Sequence, residues 1–410
     1  MSFSERIELM KYIVLLGDGM SDKKVDELGG RTPLQAAKTP NMDFIARRGR
    51  MGLVRTVPDG FAPGSDVANL SVFGYDPATC YTGRSPLEAA SIGVELGPRD
   101  VAFRINLVNL HPQGGKLYMQ DYSAGHISAA EGWELLEALR EKFGNDEFQF
   151  FPGVGYRHLM VWRNGSDRMT VTPPHDITGL DVADYLPKGE GADQLIYMMN
   201  ASQMLFFNHP QYKRRMAEDK LPANSIWFWG QGKAPRMESF GKKFGLTGAV
   251  ISAVDLIRGI GVYAGLEIIK VKGATGYIDT NYRGKADAAL EALERVDYVY
   301  LHVEAPDEAG HPGNLGDKVK AIELFDEKVV GPVIEGMKKF GEYRVACLPD
   351  HPTPVKMMTH TAAPVPFVIY SGEETENAGV AGYDEDSAKA TGLYIEEGFR
   401  LMEMLMKADN

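Results

Sequence analysis

Three short apolar runs in this chain stop at an aspartate, and that repeated ending constrains the fold more than any other feature. Residues 12–16 (YIVLL) run into Gly17-Asp18-Gly19. Residues 298–303 (YVYLHV) run into Glu304-Ala305-Pro306-Asp307, with His311 four positions on. Residues 344–348 (RVACL) run into Pro349-Asp350-His351, with His360 nine positions after His351. Short, continuously apolar runs that alternate with helical segments read as strands of a mainly parallel sheet, covered on both faces. In such sheets ligands gather beyond the carboxyl ends of the strands. Aspartate is common in turns, so one such ending carries little. Three of them, with D-x-x-x-H, D-H and a trailing H-T, point to a metal site assembled from three strand ends.

A fourth stretch supplies a hydroxyl. Residues 63–70 (PGSDVANL) read as a loop entering a helix. Ser65 or Asp66 there fits a plain N-cap. Ser65 also fits a nucleophile or phosphate acceptor, because free N–H groups and the helix dipole favour an anion at that end. Three carboxylates (Asp18, Asp307, Asp350) and three imidazoles (His311, His351, His360) are too many for one zinc ion. They suit two divalent ions, and the mixed oxygen and nitrogen donors fit Mn²⁺, Zn²⁺ or Co²⁺, with Mg²⁺ as a further option. A metal-bound serine needs no separate general base.

The bulk properties narrow the partners. A net charge of -12 over 410 residues argues against nucleic acid and anionic membranes, whose phosphates require a basic footprint. No apolar run approaches the ~20 residues needed to cross a bilayer. Residues 1–10 carry Glu5, Arg6 and Glu8 and lack the apolar core of a signal peptide. Cys80 and Cys347 form no disulfide framework. A cytoplasmic location is the expectation. Oligomeric state leaves no mark in the sequence.

The middle of the chain changes character. Residues 101–110 alternate as a strand, with 116–122 as a hairpin partner. Ser128-Ala129-Ala130-Glu131 is a capping box that opens a helix to Phe143. Residues 148–151 and 157–162 are further strands. This reads as an α+β module, 98–175, inserted into an α/β domain made of 1–97 and 176–410, with hinges near Gly97-Pro98 and Pro173-Pro174. Helices are expected over 195–216, 285–295 and 317–340.

The combination G-D-G-M, P-G-S-D-V-A-N, D-x-x-x-H, D-H and H-T resembles the alkaline-phosphatase superfamily. Within it the chain resembles the archaeal type of cofactor-independent phosphoglycerate mutase. The likeness also runs through residues 38–43 (KTPNMD), 82–88 (TGRSPLE), 173–176 (PPHD) and 229–233 (WGQGK). The resemblance implies that Asp18, Ser65, Asp350 and His351 hold one ion and that Asp307, His311 and His360 hold the other. It implies that Ser65 is phosphorylated while glycerate reorients under a cap that excludes water, with no 2,3-bisphosphoglycerate required. The substrate carboxylate and phosphate call for cationic holders, preferably arginine. Candidates are Arg84, Arg104, Arg157, Lys233, Lys285, His126 and His175. Where the family pattern carries D-R-R-A-G-R, this chain has Asp121-Tyr122-Ser123-Ala124-Gly125-His126. That variant resembles a homoserine kinase-like branch, so a related phosphotransferase or a phosphomonoesterase stands as the alternative activity.

Overall fold

A computed structural model describes residues 10–372 and 380–407. The chain divides into two compact units, Met1–Tyr81 with Arg236–Asn410, and Thr82–Pro235.

The first unit is built on an eight-stranded sheet. Its order is Glu267–Ile269, Gly248–Ile251, Tyr298–Val303, Lys11–Gly17, Tyr343–Leu348, Val365–Tyr370, Arg50–Val54 and Tyr394–Ile395. The first five strands are mutually parallel, and Val365–Tyr370 is antiparallel to both its neighbours. The three runs that end near aspartate are adjacent, with Lys11–Gly17 in the middle. Leu16 is level with His302 on one side and Leu348 on the other. All three chains therefore leave the sheet at the same edge. These strands are buried along almost their whole length, which is why their sequences run apolar instead of alternating. Helices including Tyr282–Ala292 and Leu315–Phe325 contribute to the same core.

The helix expected over 317–340 is interrupted. Leu315–Phe325 passes into a π turn, Asp326–Val330, before Gly331–Met337. Pro332 lacks an N–H, so the ordinary ladder cannot continue through it, and the wider turn absorbs the gap.

The second unit holds a five-stranded sheet around the long strand Val101–Gln113. Lys116–Asp121 returns on it as a hairpin, and Arg157–Trp162 followed by Phe148–Phe151 extends one side. The helix Ala129–Phe143 begins at the Ser128–Glu131 capping box. The inserted unit is larger than the 98–175 expected from the sequence. Strand Ser225–Gly232 also pairs with Val101–Gln113, and helix Ala192–Asn208 packs into the same core. The crossings between units lie at Tyr81/Thr82 and Pro235/Arg236, not at Gly97-Pro98 and Pro173-Pro174.

Candidate active site

Beyond the common strand edge the first unit gathers seven side chains singled out from the sequence. Asp18 follows the central strand directly, and Asp350 and His351 follow its neighbour across Pro349. Asp307 lies on a short helix, Ala305–Gly310, whose next turn carries His311. Helical spacing puts residues four apart on one face, so these two point the same way.

Ser65 opens the helix Ser65–Val72 but does not cap it. Gly64 is the N-cap and makes no side-chain bond. The Ser65 hydroxyl instead lies 3.1 Å from Nε2 of His351. Nε2 of His351 is also 3.3 Å from Asp350 Oδ2 and 3.6 Å from Asp18 Oδ1. A second set converges beside it. Nε2 of His311 is 3.0 Å from Nε2 of His360 and 3.2 Å from Asp307 Oδ2, and His360 Nε2 is 3.4 Å from Asp307 Oδ1. Two donors at ~2.1 Å from one tetrahedral ion stand ~3.4 Å apart, so these separations suit the face of a coordination tetrahedron. His351 also lies within reach of the second set, its ligand atom within 4.8 Å of those of Asp307 and His360.

The electrostatics favour added positive charge. Asp18, Asp350 and His351 are fully buried and Asp307 nearly so. Burial pushes Asp18 well above the usual carboxylate range, and the neighbouring Asp350, Glu304 and Asp307 push it further. Burial likewise raises Glu304 to about 8. Oδ1 of Asp18 is buried with no hydrogen-bond partner, and so is Oε2 of Glu304. Unpaired buried carboxylate oxygens are costly unless a cation or a proton meets them. For Asp307, burial is outweighed by the hydrogen bonds from His311 and His360, so its pKa falls well below the usual value. His311, bonded to Asp307, rises to about 9. Burial lowers the His351 pKa, which favours the neutral ring that a metal ligand needs.

The loops are held from outside. Lys318, fully buried, donates to Asp22 Oδ2 at 2.9 Å and to the carbonyls of Ser21 and Thr353. Thr353 in turn donates to Asp307. Gly19 has φ +62°, and a Cβ there would lie 2.7 Å from Asp307 Oδ1. Only glycine suits both demands, and its N–H donates to Asp350 Oδ1 at 3.1 Å.

Three buried residues in this region escaped the sequence reading. His302 places Nε2 2.9 Å from Asp18 Oδ2 and Nδ1 3.2 Å from the Ser252 hydroxyl. An ionised Asp18 can only accept, so His302 donates to it through Nε2–H and Nδ1 is left to accept from the Ser252 hydroxyl. Burial drives the His302 pKa down to about 3, so the ring is neutral. Asn69 and Tyr300 form a second such support. The only signal for any of the three was their alternation with apolar residues or their place in the P-G-S-D-V-A-N segment.

Lys285, expected to hold substrate, is fully buried and donates to the His302 carbonyl at 3.0 Å. Burial lowers its pKa to about 8. It braces the strand end, which differs from the role its charge suggested.

The remaining cationic candidates belong to the second unit. Arg84 and Arg104 both donate to Oε1 of Glu88, at 2.9 and 2.7 Å. Burial alone would raise Glu88, but Arg104 and Arg84 together bring it below its usual value. Arg104 lies over the ring of Trp229, and His175 stands edge-on to the same ring at 5.2 Å. Tyr122 meets both His175 and Tyr156, and His126 and Arg157 flank Tyr156. Lys233 pairs with Asp167 at 3.1 Å and lines a different cleft with Trp162 and Arg168. The variant turn is conformationally costly. Ala124, Gly125 and His126 are consecutive left-handed residues, with φ 51°, 64° and 50°. Asp121 secures them by accepting from Ser123 and Gly125, and buried Arg215 donates to the Ala124 carbonyl.

The pKa pattern makes a prediction for metal-free protein. Glu304 and His311 both have raised folded-state values. Each stabilises below its unfolded pKa, and that contribution is lost as pH rises towards about 8 for Glu304 and about 9 for His311. His302 acts oppositely, but its effect is complete above about pH 6.5. The melting temperature of chelator-treated protein is therefore expected to fall by several degrees between pH 6.5 and 8.5. Calorimetry with saturating Mn²⁺ should show that decline removed, because the cation replaces the protons.

The 2,3-bisphosphoglycerate-independent phosphoglycerate mutase family model matches residues 46–212. A probable 2,3-bisphosphoglycerate-independent phosphoglycerate mutase of Geobacter sulfurreducens is 72% identical, over 97% of this chain and 100% of its own. The enzyme of that name from Methanosarcina barkeri is 51% identical, over 97% and 100%. Among solved structures, a cofactor-independent phosphoglycerate mutase from Thermoplasma acidophilum superposes with a TM-score of 0.63 at 26% identity, over 97% of this chain and 99% of that one. A Pyrococcus horikoshii protein gives a TM-score of 0.79 at 28% identity, over 97% and 96%. With relatives this close over nearly its whole length, the chain belongs to the 2,3-bisphosphoglycerate-independent phosphoglycerate mutase family.

Proposed function

We propose that this protein interconverts 3-phosphoglycerate and 2-phosphoglycerate through a phosphoserine at Ser65, without 2,3-bisphosphoglycerate. The observation that carries the reading is the Ser65 hydroxyl 3.1 Å from His351, in a nest of buried carboxylates, within a chain of this family. Asp18, Asp350 and His351 with Ser65 would hold one divalent ion, and Asp307, His311 and His360 the other. The unpartnered Asp18 oxygen and the convergent Nε2 atoms of His311 and His360 fit such ions. Bound there, divalent ions polarise phosphoryl oxygens and lower the serine pKa.

In the first half the Ser65 hydroxyl gives up its proton as Oγ bonds to phosphorus, the bond to the glycerate 3-oxygen breaks and that oxygen takes up one proton. In the second half the 2-hydroxyl gives up its proton as it attacks the same phosphorus, the bond to Ser65 Oγ breaks and Oγ takes up one proton, so each half conserves protons. Arg84, Arg104 and Arg157, with His126 and His175, offer cations and imidazoles suited to the substrate's carboxylate and phosphate. Arg84 and Arg104, tied to Glu88, and Lys233, tied to Asp167, are weaker candidates than Arg157 because each already meets a carboxylate. An assay with Mn²⁺ and 3-phosphoglycerate, following 2-phosphoglycerate and free phosphate together, tests the reading. Formation of 2-phosphoglycerate without free phosphate is expected. Release of phosphate alone would make the protein a phosphomonoesterase instead.

A further inference from the structure

One face of the strand Tyr298–Val303 points at the candidate metal ligands. Alternate residues of a strand share a face, so Tyr300 and His302 lie side by side. His302 meets Asp18, as described. Tyr300 reaches Asp350 through an intermediary, Asn69, and both Tyr300 and Asn69 are fully buried.

The side-chain amide of Asn69 has three partners. Its nitrogen donates to the Ser65 carbonyl at 2.8 Å and to Asp350 Oδ2 at 2.8 Å. Both of those atoms are acceptors only, so chemistry fixes which end of the amide faces them. Its oxygen accepts from the Tyr300 hydroxyl. The Tyr300 ring is clamped against Phe73, with centroids 3.9 Å apart and planes 18° from parallel. A rotated amide would turn its oxygen on a carboxylate and a carbonyl and leave Tyr300 without an acceptor. The amide thus has one allowed orientation, and it ties the first turn of the nucleophile's helix to a carboxylate from a different strand.

We propose that Asn69, oriented by Tyr300, is a positioning residue that holds Ser65 and Asp350 in the mutual geometry a shared divalent ion requires. The inference rests on the proposed metal-activated role of Ser65. Groups that orient metal ligands typically contribute 10–100-fold in affinity or activity. A purely structural role would instead show in stability, because a buried polar group left unpaired is costly wherever it lies.

The test uses three variants of the full chain: Tyr300→Phe, Asn69→Leu, and the two combined. The double variant removes the orphaned Tyr300 hydroxyl, so its melting temperature should rise above that of Asn69→Leu, although Asp350 Oδ2 still lacks its amide donor. Mn²⁺ binding is read from the loss of the free-ion paramagnetic resonance signal. Ser65 phosphorylation is read from intact mass after mixing with 3-phosphoglycerate. Tyr300→Phe is expected to weaken Mn²⁺ binding and lower kcat, each by about 10-fold, with KM within about twofold. The double variant should bind Mn²⁺ and form phosphoserine no better than Asn69→Leu, despite its higher stability. Recovery of Mn²⁺ binding along with stability in the double variant would overturn the inference, as would binding within about twofold of wild type in every variant. Should Asn69→Leu fail to fold, Tyr300→Phe alone decides by the same criteria. If wild-type protein neither binds Mn²⁺ nor gains phosphate on Ser65, the metal reading falls and this inference falls with it.

Discussion

Ser65→Ala is expected to lower kcat by at least about 10⁴-fold, since loss of a covalent nucleophile removes the reaction path and not merely one contact. Its fold should be unchanged. Ser65 opens its helix without capping it, so its removal leaves no backbone N–H orphaned. The variant should still bind divalent ions, held by Asp18, Asp350 and His351, with somewhat reduced affinity. Intact mass after mixing with 3-phosphoglycerate should show no added phosphate, whereas wild type should show a fraction carrying one. Substantial mutase activity in Ser65→Ala would remove the phosphoserine route altogether.

Asp307→Ala is the second large effect. Asp307 is the acceptor addressed by His311, His360 and Thr353, and both imidazoles pair with its carboxylate. Without it the second set keeps imidazoles but no carboxylate to offset a dication's charge. Activity should fall by about 10³-fold or more, the scale of losing an electrostatic clamp on a transferring phosphoryl group. Metal analysis by mass spectrometry should find two ions per chain in wild type and one in the variant. Unchanged metal content with undiminished activity would dissolve the second set. Chelator treatment of wild type followed by Mn²⁺ should reproduce the loss and then reverse it.

How far the sequence could be read depended on whether a residue's role was local. The aspartates after apolar runs were visible because strand composition and strand ending are both local properties. The adjacency of those strands followed from the fold class, and their level ends delivered Asp18, Asp307 and Asp350 to one edge. Partnership was not visible. Asn69 looked like any residue in a loop-to-helix segment, and His302 like a polar interruption in a strand. Their meaning lies in contacts with Asp350 and Asp18, hundreds of positions away. Lys285 misled for the same reason, because charge is written in the sequence and burial is not. The extent of the second unit was missed because nothing local tells strand Ser225–Gly232 which of two sheets to join.

The position of the first strand has a consequence for the order in which the protein can be made. Lys11–Gly17 leaves the ribosome before the other described strands, yet both of its neighbours, Tyr298–Val303 and Tyr343–Leu348, come from the last third of the chain. The unit Thr82–Pro235 draws every strand of its sheet from within itself and can close while synthesis continues. Domains that emerge early generally fold as units, and contacts between distant segments wait for the loop between them to be complete. Asp18 and Ser65 therefore spend most of translation without Asp307, Asp350 or any of the three imidazoles. The nascent chain carries Ser65, the proposed nucleophile, from early on but cannot complete the site around it until nearly the last strand has been delivered.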